Sequence, residues 1–332
     1  IAQLVEHNLA KVGVASSNLV SRSRIRKPGL RPGFFVYSLA KSPTTSVSSV
    51  ILGSHFLNNP ATEEGEAMKV KTLYIYPVKS LAGIEVSRFS LDDFGPQGDR
   101  RWMIVDGDNR FVTQRRLPQL ANVYTALQEG VVVIDVPGEG LFPLTAGTDA
   151  VEVTVWRDQV VATAGADRAA EALSRYCGET LRLVYMPDSC FRRVDPGRVS
   201  AERRVGFADG FPLLVVNQSS LDELNSRLES PVDMRRFRPN IVVEGAGAWA
   251  EDTWRSVSVG ESRLDLVKPC SRCVMTTVNP DTGEKDSATQ PLKTLASYRK
   301  TRDGVIFGQN AVHQKPGEIS VGDEVTVLNQ EN

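Results

Sequence analysis

The pair Cys270 and Cys273, in Pro269-Cys270-Ser271-Arg272-Cys273, is the most reactive-looking group in the chain. Two thiols at this spacing suit three chemistries: half of a zinc site, a redox dithiol, or the supply of one thiolate to a soft metal. A closed tetrahedral zinc site needs two further ligands. The remaining candidates are Cys177, Cys190 and His313, and no second C-x-x-C accompanies them. Arg272 sharpens the interest of the pair, because a guanidinium beside a thiol lowers its pKa and presents a forked donor to anions. Lys268 adds positive charge nearby.

Other basic residues stand at the ends of apolar runs, beside hydroxyl and amide side chains. They occur in Tyr76-Pro77-Val78-Lys79-Ser80, Gly98-Asp99-Arg100-Arg101-Trp102, Thr113-Gln114-Arg115-Arg116 and Phe237-Arg238-Pro239-Asn240. In the last of these the proline is expected to hold Arg238 extended. Loops at strand ends can converge on one mouth of a barrel, where such groups suit a compact, anionic, heterocyclic ligand. A phosphorylated cofactor fits better than a polyanion, which would favour a continuous basic stripe.

The elements that must position these loops are mostly short strands. Runs 71–76, 85–91, 102–105, 131–136, 151–155 and 160–163 are β-rich and separated by Gly, Asp and Pro clusters. Residues 212–216, 241–244, 256–259, 263–267 and 324–328 continue the pattern. Helices are expected at 167–176, where the run ends at Gly178, and at 292–298. A third should open on the capping box Ser220-Leu221-Asp222-Glu223 and run to Leu228. The fold class is therefore α+β, mainly β, and barrel-centred. Strand and helix do not alternate as a doubly wound nucleotide fold requires.

Composition narrows the function. The 332 residues carry 39 basic and 40 acidic side chains, which offers no general footprint for nucleic acid, and no apolar run is long enough to span a membrane. Residues 1–67 carry +3 and residues 68–332 carry −4. Two of the three histidines, His7 and His55, fall in the first segment, so multi-histidine metal sites and histidine-based hydrolases are poor readings of the rest. Residues 1–67 read as a non-native or disordered leader ahead of Met68. Their opening resembles the translation of a transfer-RNA gene, with an organelle transit peptide as the competing reading.

The basic motifs, together with Pro269–Cys273, the run Thr276-Thr277-Val278-Asn279-Pro280-Asp281-Thr282-Gly283 and Phe307-Gly308-Gln309-Asn310, resemble the MOSC-domain family. Within it the resemblance is to two-part proteins, which include bacterial hydroxylaminopurine-resistance proteins and mitochondrial amidoxime-reducing components. It implies a MOSC N-terminal β-barrel domain over residues 68–190 and a β-barrel-centred MOSC domain over 195–329. It also implies a molybdenum cofactor, Mo-molybdopterin, with Cys273 as the thiolate ligand of the metal. Lys79, Ser80, Arg100, Arg238, Asn240, Ser271 and Arg272 would hold the pterin and its phosphate. Asn310 would lie near the cofactor, at a position that is aromatic in some relatives.

The activity implied is two-electron reduction of small N-hydroxylated compounds (hydroxylamines, amidoximes, N-hydroxylated purines) to amines or amidines. Asp252, in Ala250-Glu251-Asp252-Thr253-Trp254, is the candidate proton donor. The cysteine cluster of the iron–sulfur domain carried by many bacterial members is not seen, so electrons are expected from a separate ferredoxin-like protein or flavoprotein. A cytoplasmic, detoxifying role is expected, with neither nucleic acid nor membrane as partner, and the family also carries pyridoxal phosphate binding as a general expectation. The alternative is a carrier of sulfur or of the cofactor, using Cys273 as a persulfide site.

Overall fold

A computed structural model describes residues 67–328. Apart from Ala67, the leader assigned to residues 1–67 lies outside the described residues. The expectation of a mainly β, barrel-centred α+β protein holds.

The largest sheet runs in the order Val325–Val327, Ser256–Val259, Ser262–Ser271, Gly304–His313, Leu213–Asn217, Ile241–Glu244, Lys69–Ile75 and Ile84–Val86. Its ends meet. Val70 N–H donates to the Asp323 carbonyl at 2.8 Å and Val325 N–H to the Met68 carbonyl at 2.8 Å, with a bridge between Lys69 and Glu324. The seven strands from Val325–Val327 round to Lys69–Ile75 thus close into a barrel, which leaves no free edge among them. Alternate residues fill its interior, among them Val70, Ile75, Val215, Ile241, Val243, Val257, Leu264 and Ala311. The strand that closes the ring comes from the start of the described chain, so the first half contributes directly to the barrel of the second.

A smaller sheet joins Trp102–Val105, Arg182–Tyr185, Asp158–Gly165 and Ala146–Val155. Segment 109–112 closes it, pairing Phe111 with Val105 on one side and Arg110 with Thr154 on the other. The helix Asp167–Cys177 covers its end, burying Ala169, Ala170, Ala172 and Leu173, and stops at Gly178 in the left-handed conformation, as the sequence pattern predicts. Among the described residues no helix is long and apolar enough to cross a membrane.

Two expectations are corrected. The predicted strand 85–91 is two strands, Ile84–Val86 and Arg88–Asp92, in different sheets. The helix expected to open at Ser220 spans Gln218–Ser226 and is capped by Asn217, whose side chain accepts from Ser219 N–H at 3.2 Å. Ser220 is free of capping because its hydroxyl donates to the buried Glu251 carboxylate at 2.8 Å. The ten-residue strand Gly304–His313, paired in the barrel wall with both Ser262–Ser271 and Leu213–Asn217, has no counterpart among the expected strands, because Gly304, Gly308 and the polar pair Gln309-Asn310 break its apolar pattern.

Gly308 is required where it stands. Its φ is +77°, and a Cβ there would lie 2.5 Å from Val216 Cγ1 and 2.9 Å from the Val215 carbonyl oxygen. Gly308→Ala is therefore expected to cost about 2 kcal/mol or more. Urea unfolding should show a lower midpoint at unchanged slope; a midpoint equal to wild type would remove this account of the strand.

Candidate functional site

Where the two barrels meet, the strand-end loops enclose a cavity of about 340 Å³. Lys79, Ser80, Arg100, Arg238, Asn240, Ser271, Arg272, Asn310 and both Cys270 and Cys273 line it. Residues as far apart in the sequence as Lys79 and Asn310 thus share one surface. Asp252 does not line the cavity. It is exposed, its carboxylate accepting from Gln309 Nε2 at 2.8 Å and pairing with Arg299 at 2.6 Å, so it braces the central strand and is withdrawn as a proton donor. Cys177, Cys190 and His313 are also absent from the cavity wall, and among the described residues no three His, Cys, Asp or Glu side chains converge as a metal site.

The floor is built on Asp99, which is 4% exposed. Its carboxylate accepts from Tyr76 N–H at 2.7 Å, Arg100 Nη1 at 2.5 Å and Asn240 Nδ2 at 3.2 Å. Burial pushes its pKa up and is the larger influence, while Arg100 and the Tyr76 N–H pull it down. Asn240 accepts in turn from Arg100 Nη1 at 3.1 Å and from Leu214 N–H at 3.2 Å, which ties three strand ends together. Arg100 and Arg238 lie against the ring of Tyr76, with 4.3 and 4.2 Å from guanidinium carbon to ring centre.

Backbone strain gathers here. Ser80, Arg100, Trp156 and Arg238 all line the cavity and all have positive φ, between +47° and +71°. Such conformations persist only where surrounding structure over-determines them. Arg238 is a correction: it is left-handed, not extended, despite the proline that follows. Its N–H closes the turn Met234–Phe237 on the Arg235 carbonyl at 3.1 Å, and this outweighs the preference that Pro239 imposes.

Cys273 lies two residues past the strand Ser262–Ser271 and precedes the turn Val274–Thr277, its carbonyl accepting from both Thr276 N–H and Thr276 Oγ1 at 3.0 Å. The two thiols have different neighbours. Arg272 Nη1 lies 2.8 Å from Cys270 Sγ, whereas Arg115 Nε lies 3.3 Å from Cys273 Sγ. Arg115 is held in turn by Asp209 at 3.5 Å and by the face of Trp156 at 4.8 Å. Sequence reasoning quoted Arg115 within Thr113–Arg116 without assigning it to the site, and missed Asp209 altogether. The signal for Arg115 was its place at a strand end; nothing local marks Asp209.

Lys79 is 5% exposed and donates to the Phe207 carbonyl at 2.8 Å and to Asp209 Oδ1 at 2.5 Å. Burial lowers its pKa to about 8, against the opposing pull of Asp209. Burial is the largest single influence on the Asp209 carboxyl and raises it, but the Lys79 ammonium, Arg115 and the Trp156 N–H together outweigh it and hold the group well below the usual carboxylate range. As the one lysine lining the cavity, Lys79 is already committed to these partners and lends no support to pyridoxal phosphate there.

Three buried polar atoms of the cavity have no partner: Ser80 Oγ, Arg238 Nη2 and Arg272 Nε. Unsatisfied buried donors are costly. Three from separate segments, around one cavity beside a thiol, fit a ligand rich in phosphate and carbonyl oxygen, as Mo-molybdopterin is.

The MOSC domain profile matches residues 202–326, and that of the MOSC N-terminal beta barrel domain matches residues 67–180. Mitochondrial amidoxime-reducing component 1 of Mus musculus is 33% identical over 281 residues, covering 79% of this chain and 82% of that protein. The chain belongs to the MOSC-domain family. The human amidoxime-reducing component 1 is 32% identical, covering 79% of this MOSC protein and 83% of its own length. Molybdenum cofactor sulfurase of Oryza sativa subsp. japonica is 30% identical over 282 residues, which cover 76% of this chain but 34% of that longer protein. Among solved structures, the YUAD protein of Bacillus subtilis covers 78% of this chain at 10% identity and a TM-score of 0.37, too weak a likeness to bear on the fold.

The orphaned donors predict that the cavity binds anions. Sulfate is expected to raise the thermal unfolding temperature, and Arg238→Gln to weaken sulfate binding at least roughly tenfold, as loss of a charged hydrogen bond implies. Affinity should fall as pH rises through about 8, where Lys79 sheds its proton. Bound sulfate favours the ammonium and so moves that loss to higher pH in the complex. Calorimetric titration showing no pH dependence between 6 and 9 would contradict the account.

Proposed function

We propose that this MOSC protein is a molybdenum-cofactor-dependent reductase of N-hydroxylated compounds, with Cys273 as the protein's ligand to the metal. The observation that carries the reading is the cavity itself: two half-buried thiols, five arginines and a lysine around it, and three buried donors awaiting acceptors. The names of its relatives point the same way, two of them amidoxime-reducing components and one a molybdenum cofactor sulfurase.

In this reading Ser80, Arg238 and Arg272 meet the phosphate and pterin oxygens, and Arg100 and Asn240 form the polar floor beneath them. Lys79 adds charge, and Ser271 and Asn310 border the ligand near the metal end. The guanidinium groups suit this task because they hold fixed positive charge and bind phosphate in a forked geometry. When bound, the cofactor supplies the two-electron redox chemistry. The protein's part is to fix the sulfur of Cys273 through Arg115 and the backbone of Thr276, and to offer donors to a polar substrate. Overall, R–NHOH takes up two electrons and two protons and yields R–NH2 and water. The electrons come from a separate carrier, a ferredoxin-like protein or a flavoprotein.

A second reading, carriage of sulfur or cofactor with a persulfide at Cys273, is favoured by the likeness to the sulfurase. One set of measurements separates the two. Protein made with molybdenum supply is expected to hold stoichiometric metal and pterin, both lost in Cys273→Ser, and to reduce benzamidoxime or 6-hydroxylaminopurine with reduced viologen. Retention of metal and pterin by Cys273→Ser would sink the ligand assignment. A persulfide trapped at Cys273 in protein free of molybdenum would favour the carrier.

A further inference from the structure

One guanidinium stands between the sulfur of Cys273 and an aromatic ring. Arg115 Nε lies 3.3 Å from Cys273 Sγ, and the guanidinium carbon lies 4.8 Å from the ring centre of Trp156. Trp156 lines the cavity and is 44% exposed; among the described residues it is the one exposed large apolar side chain on that wall. The other aromatic residues of the wall are Phe211, half-buried, and Phe237, buried. A substrate has to come from solvent to the sulfur end of the cavity, and the indole of Trp156 borders both.

The backbone at this position is poorly suited to such a residue. The strands Ala146–Val155 and Asp158–Gly165 pair Val155 with Asp158, so Trp156 and Arg157 form a two-residue hairpin turn. The φ of Trp156 is +58°. Hairpin turns of this length place Gly, Asn or Asp at positive φ, and a bulky residue there is strained. Strain of this kind persists where surrounding contacts over-determine it. Three contacts do so here: the indole N–H donates to Asp209 Oδ1 at 3.2 Å, Arg115 lies against the ring, and Phe111 packs on it at 5.0 Å between ring centres. The ring is therefore fixed in orientation while much of its surface stays open to water. A planar ligand would meet an aromatic surface that is already ordered, so little side-chain freedom is lost on binding.

We propose that Trp156 is a specificity-determining residue of the reduction: its indole stacks on the substrate and selects N-hydroxylated compounds built on a flat, conjugated ring. The inference rests on the reductase reading above and names the substrate class within it. In an aryl amidoxime or an N-hydroxylated purine the nitrogen is bonded to the ring itself or to the first carbon attached to it. A ring resting on the indole therefore keeps its N–O bond at the sulfur end of the cavity. Stacking on an aromatic side chain changes affinity by about tenfold or more and tolerates different ring systems. Aliphatic amidoximes and hydroxylamines offer no such face and gain nothing from it.

The test compares two variants of the full, molybdenum-loaded chain. Trp156→Leu keeps apolar bulk without an aromatic face, and Trp156→Phe keeps an aromatic face without the N–H to Asp209. Binding is read first by calorimetry without any electron donor, so that nothing turns over, using benzamidoxime and its aliphatic counterpart acetamidoxime. Trp156→Leu is expected to weaken benzamidoxime at least about tenfold and acetamidoxime less than about twofold, whereas Trp156→Phe holds benzamidoxime within about threefold of wild type. With reduced viologen as donor, the KM for benzamidoxime relative to that for acetamidoxime should rise in Trp156→Leu by the same factor. Unchanged binding, equal weakening of the two amidoximes, or loss of molybdenum and pterin in step with binding would each overturn the inference. So would a Phe variant as weak as the Leu variant, which would assign Trp156 to holding Asp209. A defect seen only with a protein electron donor would overturn it as well, by making the indole a contact for that partner. Loaded wild type that binds benzamidoxime through Trp156 but reduces neither amidoxime would instead sink the reductase reading.

Discussion

Asp99 lies almost fully buried beneath a cavity that gathers five guanidinium groups and an ammonium, and its carboxylate makes that concentration of charge tolerable. Like charges about 4 Å apart near a protein surface repel by about 4 kcal/mol, so a bare cluster of this kind would spread its strand ends apart. Asp99 neutralises Arg100 at 2.5 Å and also accepts from the Tyr76 backbone and the Asn240 side chain. One carboxylate therefore pins the end of the closing strand Lys69–Ile75, the loop at Arg100 and the start of Ile241–Glu244. Removing one partner of such a buried pair leaves the other uncompensated, which is far costlier than the worth of the contact.

The rest of the site follows from that anchor. Gly206 allows the chain to approach the Arg100 carbonyl, where a Cβ would lie 2.8 Å away, and Phe207 N–H then donates to the same oxygen at 2.7 Å. This contact brings Asp209, two residues on, against Lys79. On the opposite wall the loop Asn279–Gly283 takes no part in lining the cavity. It fastens the halves instead through Asn122, which donates to the Thr282 carbonyl at 2.9 Å, while Asp281 pairs with Arg235 of its own half at 2.9 Å. Part of the sequence signature of the family is thus a fastening, and part is the site.

Most strands and two of the three helices were legible because their apolar residues keep a regular period and end at Gly, Asp or Pro. Legibility failed where residues serve two purposes. The strand Gly304–His313 is hidden by Gly308, which makes room for Val216, and by Gln309 and Asn310, which face Asp252 and the Pro269 carbonyl. The apparent capping box failed in the same way, since Ser220 is spent on Glu251 and Asn217 caps the helix.

Residue types and their local spacing determined on their own that this is a mainly β protein, that Cys273 sits at a strand-to-turn junction, and that cationic loops stand at strand ends. Each of these depends on neighbours in the chain, through period, turn chemistry and charge. Only the tertiary structure decided that those loops share one cavity, that Arg115 rather than Arg272 touches Cys273, and that Asp209, not Asp252, is its carboxylate. These are contacts across 100 residues or more. They are settled by how the strand Lys69–Ile75 closes the larger barrel and brings the smaller one against it, and no local pattern carries that information.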